Sequence, residues 1–435
     1  MQEQISNLFI GKFTESTVYG GVAMLSEKQK LDALTRLGVD LNQIQDLDIL
    51  MESILTEARR FVNADAGSIY IRDKDRLHFT YTQNDTLQRR LGEGQKLIYS
   101  TFKIPINGNS IAGFSAESGR PLNLPDVYRI DPTCPYRFDK EFDDTAAYIT
   151  RSVLTIPLQT AEGDLLGILQ IINAQDENRN VIPFTSTDEK MMMHFASITA
   201  VALARAQMTR AMLLRMMKMA EMRDPKETGT HVNRVGGYAV EIYEKWARRH
   251  QVLQKDIDKN RDMLRMAAML HDVGKVAISD LILKKPGRLN RDEFKTIKLH
   301  TVSGARLFLD RQSDFDAAAA QVALTHHERW DGSGYPGHFD VAADKPIKGF
   351  ANADGSARGK RGDEIPIYGQ IVALADVYDA LSSQRVYKDA WDESMVLDQI
   401  QAGAGHHFNP ELVEIFFSCL DVLRSIQKRY PDDSL

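Results

Sequence analysis

The chain has eleven histidines, and only His78 and His194 precede His231. Several of the others stand beside carboxylates. In "HDVGK" His271 and Asp272 are adjacent, and Lys275 follows near the end of the same helical run; "HHERWDGSGYPG" (326–337) sets His326 and His327 before an acidic, glycine-rich loop. His231 in "ETGTHVNRV", His300 in "IKLHTV" and Asp376 in "ALADVYDA" each fall within or at the edge of a helical stretch. Imidazole nitrogen with carboxylate oxygen, and no thiolate, suits Fe, Mn, Zn, Ni or Co. A single His-Asp pair reads equally as a hydrogen-bonded pair in a core. So many ionisable groups are costly to bury together unless cations compensate them, so their accumulation favours a metal centre. Neighbours on a helix point about 100° apart, which would let His271 and Asp272 serve adjacent ions.

The elements that must position these groups are helices. Beyond Pro225 one helical pattern follows another, from "HVNRVGGYAVEIYEKWARRH" to "ESMVLDQIQAGAG", and strand signals almost vanish. The exception is 337–364, rich in Gly, Ala, Asp and Lys, which reads as a long surface loop with mobile sections. The first half has a different texture. Leu47, Leu50, Met51, Ile54, Ala58 and Phe61 follow amphipathic helical spacing; the strand-like runs "GSIYI", "LHFTYT", "SVLTIPL" and "GILQIIN" come after. A helix without Gly or Pro then runs from Ser186 to about Arg223. The expected architecture is an α+β domain, an antiparallel sheet with flanking helices, joined by this long helix to an all-α domain. The boundaries are an N-terminal extension (1–29), the α+β domain (30–205), a linking and dimerising helix (186–223) and the helical domain (224–435).

A length of 435 residues calls for two cores. The net charge of -6 argues against nucleic acid as a partner. Cys134 and Cys419, far apart, support neither a disulfide framework nor a thiolate site. No apolar run approaches a membrane span and the N-terminus lacks a signal-peptide pattern, so the chain reads as a soluble cytoplasmic protein, most simply a homodimer.

"HDVGK" followed by "HHERWDGSGYPG" resembles the HD-GYP family, HD-type metal phosphohydrolases that cleave cyclic di-GMP, over roughly residues 220 to 425. The resemblance implies metal ligands at His231, His271, Asp272, His300, His326, His327 and Asp376, with Asp272 bridging two ions. It implies a phosphate-stabilising role for Lys275 and substrate contacts from Arg385 and Lys388 in "SSQRVYK". Tyr335 is a candidate to stack on guanine. Glu227, four residues before His231, matches the glutamate of members with a third metal, so two or three divalent ions, Fe or Mn, are expected. Such ions activate water and neutralise the attacked phosphoryl group. The products would be pGpG, GMP or both, and a diguanylate cyclase is an expected partner through the GYP loop. The competing reading is a non-catalytic cyclic di-GMP receptor or scaffold, which need not keep every ligand together with Lys275. His406-His407, just before "NPEL", match no ligand and read as surface or capping residues.

Residues 30–205 resemble a GAF domain of the cyclic-nucleotide-binding kind, through "NSIAGFSAESGRPLNLPDVYR", "FDDTAAYITRSVLTIPL" and "GILQIINA" followed by "FTSTDE". Asn173, Phe184, Asp188 and Glu189 fit a motif of that subfamily, but Ala174 replaces its lysine, so the usual salt bridge to the acidic residue is expected to be missing. Contacts to cAMP or cGMP would come from Ser68, Ile111, Ala112, Asp143, Thr150 and Gln170.

Overall fold

Strand alternation in the first half and helical periodicity in the second are both realised in the computed structural model, which describes residues 27–91, 102–221, 229–383 and 391–431. The chain forms two compact units. Leu55–Arg90 and Lys103–Ser197, with the described residues before Gly38, make the first; Gly38–Ile54 and the chain from Ile198 onward belong to the second. Helices α1 (Glu27–Gln43) and α2 (Leu47–Phe61) therefore contribute to both.

The first unit is an antiparallel sheet flanked by helices. Its strands are β1 (Ala64–Asp73), β2 (Arg76–Asn84), β3 (Lys103–Pro105), β4 (Leu122–Leu124), β5 (Val153–Gln159), β6 (Leu165–Gln175) and β7 (Val181–Ile182). Their order is β3-β2-β1-β6-β5-β4, with β7 on β6. The four strand-like runs lie in β1, β2, β5 and β6, and the long pairings are those of the central strands. Short helices α3 (Asp85–Gln88), α4 (Ile111–Ser118) and α5 (Glu141–Ala146) fill the connections. Side chains alternate across a strand. A Cβ on Gly67 would press on Leu55 of α2, so its neighbour Ser68 faces the other side of the sheet. There Ser68 is in register with Thr82 on β2 and Gln170 on β6, and Gln170 with Thr155 on β5. The result is a row of polar side chains across four strands, linked by Ser68 Oγ to Thr82 Oγ1 (3.1 Å) and Gln170 Nε2 to Thr155 Oγ1 (3.1 Å).

Helix α6 (Ser186–Glu221) follows, continuous as its lack of Gly and Pro requires. The second unit holds α7 (Gly229–Arg249), α8 (Gln254–Met269), α9 (Asp280–Leu283), α10 (Arg291–Lys298), α11 (His300–Arg306), α12 (Asp314–Thr325), α13 (Ile367–Ser382), α14 (Glu393–Ala402), α15 (Pro410–Ser418) and α16 (Leu420–Arg429). Its core is apolar and aromatic: Tyr238, Ile242, Leu264, Val322, Ile371, Leu374, Tyr378 and Phe416 are buried together. Two capping boxes set the helix starts that matter for the site, Asn290 with Glu293 on α10 and Ser313 with Asp316 on α12. The α2 end of this unit is ionic. Arg265 donates to Asp46 (3.0 Å) and Asp48, and the Asp262 carboxylate accepts from the backbone amides of Gln45 and Asp46 at 3.0 Å and 2.6 Å. Burial pushes the Asp262 carboxyl up to about 6 despite these amide donors.

Two expectations need correction. The 337–364 stretch is not structureless: β8 (Phe339–Asp340) pairs with β9 (Lys345–Pro346), and backbone bonds Ile347 N to His338 O and Arg358 N to Phe350 O tie it together. Its polar composition disguised a hairpin whose strands are two residues long. Of the two readings of His406-His407, surface or capping, the capping one fails, since Asn409 caps α15; His406 is exposed, and the carbonyls of His407 and His406 accept the amides of Trp330 and Asp331.

Candidate metal centre

The charged motif lies where α8 stops. The helix ends at Met269, and His271 and Asp272 sit in the turn that leads into a 3₁₀ segment, Val273–Ala277, rather than within a helix as expected. Gly274 makes this possible, because a Cβ there would overlap the His300 carbonyl oxygen and the Gly304 amide of α11. His300 opens α11, and His326 and His327 follow the last turn of α12. His231 comes from α7 and Asp376 from α13.

These elements bring seven of the candidate ligands into two adjoining groups. Asp272, His300, His326 and His327 form one, and His231, His271 and Asp376 the other; within each, the donor atoms lie within 4.8 Å of one another. Asp272 faces both. Its Oδ1 lies 3.0 Å from His300 Nε2 and 3.5 Å from His326 Nε2, while Oδ2 lies 3.3 Å from His271 Nε2. His231 Nε2 is 3.5 Å from Asp376 Oδ1. Lys275 closes the edge with its ammonium 2.8 Å from Asp272 Oδ2.

The hydrogen bonds behind the rings decide which nitrogen is presented. Nδ1 of His271 faces Ala268 O (2.8 Å), that of His300 faces Ile297 O (2.6 Å), and that of His326 faces Val322 O and Ala323 O (3.1 Å each). A carbonyl only accepts, so each Nδ1 carries the proton. In a neutral ring Nε2 then holds a lone pair, aimed at carboxylate oxygens that also hold lone pairs. Burial keeps the rings neutral where a shift is resolved: the His326 imidazole is lowered and that of His327 is pushed far below its ordinary range. Burial alone would raise the Asp272 carboxyl, but the attraction of Lys275, foremost among opposing influences, leaves it well below the usual range. Imidazole nitrogens and an ionised carboxylate crowded together in this way are a donor set that fits divalent cations.

A second layer escaped the sequence reading. Asp379, almost fully buried, accepts from His231 Nδ1 (2.8 Å) and Arg234 Nε (2.5 Å). Burial would raise its carboxyl, yet His231 and Arg234 hold it below the ordinary range. The signal was spacing: His231 and Arg234 on α7, like Asp376 and Asp379 on α13, are three apart and share a helix face. Glu328 was also passed over. Its buried carboxylate accepts Gly337 N (2.5 Å) and Lys360 N (3.1 Å), tying the GYP segment to the far end of the 337–364 stretch. Gly337 has φ +85°, and a Cβ there would overlap Arg358 O.

The remaining candidates divide. The Tyr335 ring lies 4.8 Å from that of His327. Glu227, Arg385 and Lys388 lie outside the described residues. In the first unit Ser68 and Gln170 belong to the polar row, and Asp143 bonds Thr150 at both N (2.7 Å) and Oγ1 (2.8 Å). Ile111 and Ala112 are buried at the start of α4. The missing salt bridge is made another way: Lys30 of α1, in place of a lysine at Ala174, meets Asp188 at 2.8 Å. Among the described residues no helix is long and apolar enough to cross a membrane.

A GAF domain model matches residues 46–203, and HD domain models match 228–381 and 351–412. The chain is 37% identical over 207 residues to 3'3'-cGAMP-specific phosphodiesterase 2 of Vibrio cholerae serotype O1, covering 48% of this chain and 34% of that protein. It is 35% identical over 215 residues to a cyclic di-GMP phosphodiesterase of Thermotoga maritima (49% and 50% covered). It is 41% identical over 152 residues to the cyclic di-GMP phosphodiesterase response regulator RpfG of Xanthomonas campestris pv. campestris (35% of each). The chain thus spans half or less of the length of these relatives. It carries a GAF domain and, after it, an HD domain similar to those of the cyclic-dinucleotide phosphodiesterases.

Proposed function

We propose that this protein hydrolyses a cyclic dinucleotide, cyclic di-GMP first among them, at the His/Asp centre. The observation that carries the reading is the pair of donor groups meeting at Asp272, with imidazole lone pairs turned inward. His231, His271 and Asp376 would hold one ion and His300, His326 and His327 a second, with Asp272 between them; Fe or Mn suits the set. Divalent cations held there would supply the chemistry of water activation and charge neutralisation at the attacked phosphoryl group. Lys275 adds a cation beside Asp272 and would stabilise a phosphoryl oxygen. Arg385 and Lys388 would hold the phosphates, and Glu227 a third ion that favours passage from pGpG to GMP. The test is metal analysis of the purified protein with chromatography of products after incubation with cyclic di-GMP. Metal-loaded protein that forms neither pGpG nor GMP sinks the enzyme reading and leaves a receptor or scaffold.

The GAF domain would regulate this activity by binding a cyclic nucleotide. Supporting it is the polar row Thr82, Ser68, Gln170 and Thr155 across the central strands. Calorimetry with cAMP and cGMP tests it, and no heat with either removes it. A homodimer through α6 fits its exposed Val201, Met208, Met212, Met216 and Met219, which recur at helical spacing. The GYP loop is the expected contact for a cyclase. Free Cys134 and Cys419 accord with a reducing cytoplasm.

A further inference from the structure

The rim of the metal centre carries a cation that the proposed chemistry does not yet use. Lys298 closes α10, two residues before His300, and its ammonium lies 4.7 Å from the centre of the Phe294 ring and 4.8 Å from that of Tyr335. The Tyr335 ring in turn lies 4.8 Å from His327 and 6.4 Å from His300. These ring contacts place Tyr335 at the edge of the centre, between the metal-ligand candidates and Lys298. Phe294, at the outer end, is 49% exposed, although a phenyl face gains by being covered. Among the described residues no carboxylate pairs with the Lys298 ammonium. Surface lysines of this chain commonly do pair, as Lys259 does with Asp314 and Lys285 with Glu293.

We propose that Phe294, Lys298 and Tyr335 form a nucleotide subsite for the part of the substrate that is not being cleaved. The exposed Phe294 face takes a purine base by stacking, and the Lys298 ammonium takes the phosphate of that nucleotide. Tyr335 spans the interval to the metal ligands, so a diester at Asp272 and a second nucleotide at Lys298 are served by one continuous surface. The subsite would separate dinucleotides from mononucleotides, since a mononucleotide at the metals leaves Lys298 unused. This rests on the phosphodiesterase reading for its choice of substrate.

The experiment is calorimetry on the full chain with the phosphorothioate analogue of linear pGpG, which resists hydrolysis, at several salt concentrations. Lys298→Met, which keeps the stem and removes the charge, should raise Kd about tenfold and flatten its salt dependence by roughly one charge. Lys298→Arg should recover most of the affinity and the salt slope, and Phe294→Ala should raise Kd about fivefold. An unchanged Kd in Lys298→Met and Phe294→Ala overturns the subsite. So does a weakened Kd with an unaltered salt slope, which marks a merely structural lysine, and so does wild type that fails to bind the analogue. Wild-type turnover of cyclic di-GMP is measured alongside. Its absence overturns the catalytic reading alone, and the Kd comparison still decides the subsite.

Discussion

Asp379 receives the Nδ1 proton of His231 at 2.8 Å while gripping the buried Arg234 guanidinium at 2.5 Å. A ring anchored in this way keeps its Nε2 directed at the neighbouring Asp376. Asp379→Asn should weaken metal affinity by about 10–100-fold, as read by chelator competition. Asp379→Ala should also cost about 3–5 kcal/mol in urea unfolding, because it strips the carboxylate from a buried guanidinium.

Asp272 stands between both donor groups, so its loss should be felt by both. Asp272→Ala, alone or with His271→Ala, should reduce bound metal to a trace and lower turnover about a thousandfold or more. Metal content by mass spectrometry and product formation should fall together; full activity in the double variant would falsify the assignment.

Gly274 lies where the 3₁₀ turn meets the opening of α11. Gly274→Ala should destabilise the second unit by about 2–4 kcal/mol, since the overlap is with backbone that cannot swing aside. The displaced element begins with His300, so metal affinity should drop as well. A variant with wild-type stability and loading would contradict the close approach.

Glu328 is the buried clasp of the GYP segment. Glu328→Ala leaves the Gly337 and Lys360 amides without their acceptor, at a cost of about 2–4 kcal/mol. Glu328→Gln retains an acceptor and should cost less than half as much. Hydrogen exchange at those two amides is the readout: it should accelerate in the alanine variant far more than in the glutamine one.

Asp262 provides a pH dependence. Its folded carboxyl titrates near 6, above its ordinary 3.8, so the folded protein holds the proton more tightly than the unfolded chain. Stability linked to this group is complete below about pH 4 and is lost as pH rises through about 6. Asp262→Asn should flatten that slope and leave the protein about 1–2 kcal/mol more stable than wild type at pH 7. Parallel stability curves for the two proteins between pH 4 and 7 would refute this.

Element types were readable because they depend on local periodicity. The Ile and Tyr run of β1 and the unbroken run of α6 leave few other ways to satisfy the backbone. Residue chemistry was readable too: His and Asp in fixed motifs, without thiolate, already restricted the centre to oxygen and nitrogen ligation. The short strands β8 and β9 were not, since two residues carry no period. Nor was the end of α8 before His271, because Gly274 answers to α11, a distant segment, and not to its own neighbours.

The sequence by itself determined that this chain is an α+β unit followed by a helical one, and which side chains are candidates for metal-binding chemistry. Only the tertiary structure decided how those side chains are grouped, that Asp379 and Arg234 stand behind His231, and that Lys298 lies against Tyr335 rather than a carboxylate. Local pattern sets the period and polarity of each element. Partnerships across 145 residues, such as Arg234 with Asp379, arise only when α7 and α13 pack and their polar groups must be satisfied out of reach of water.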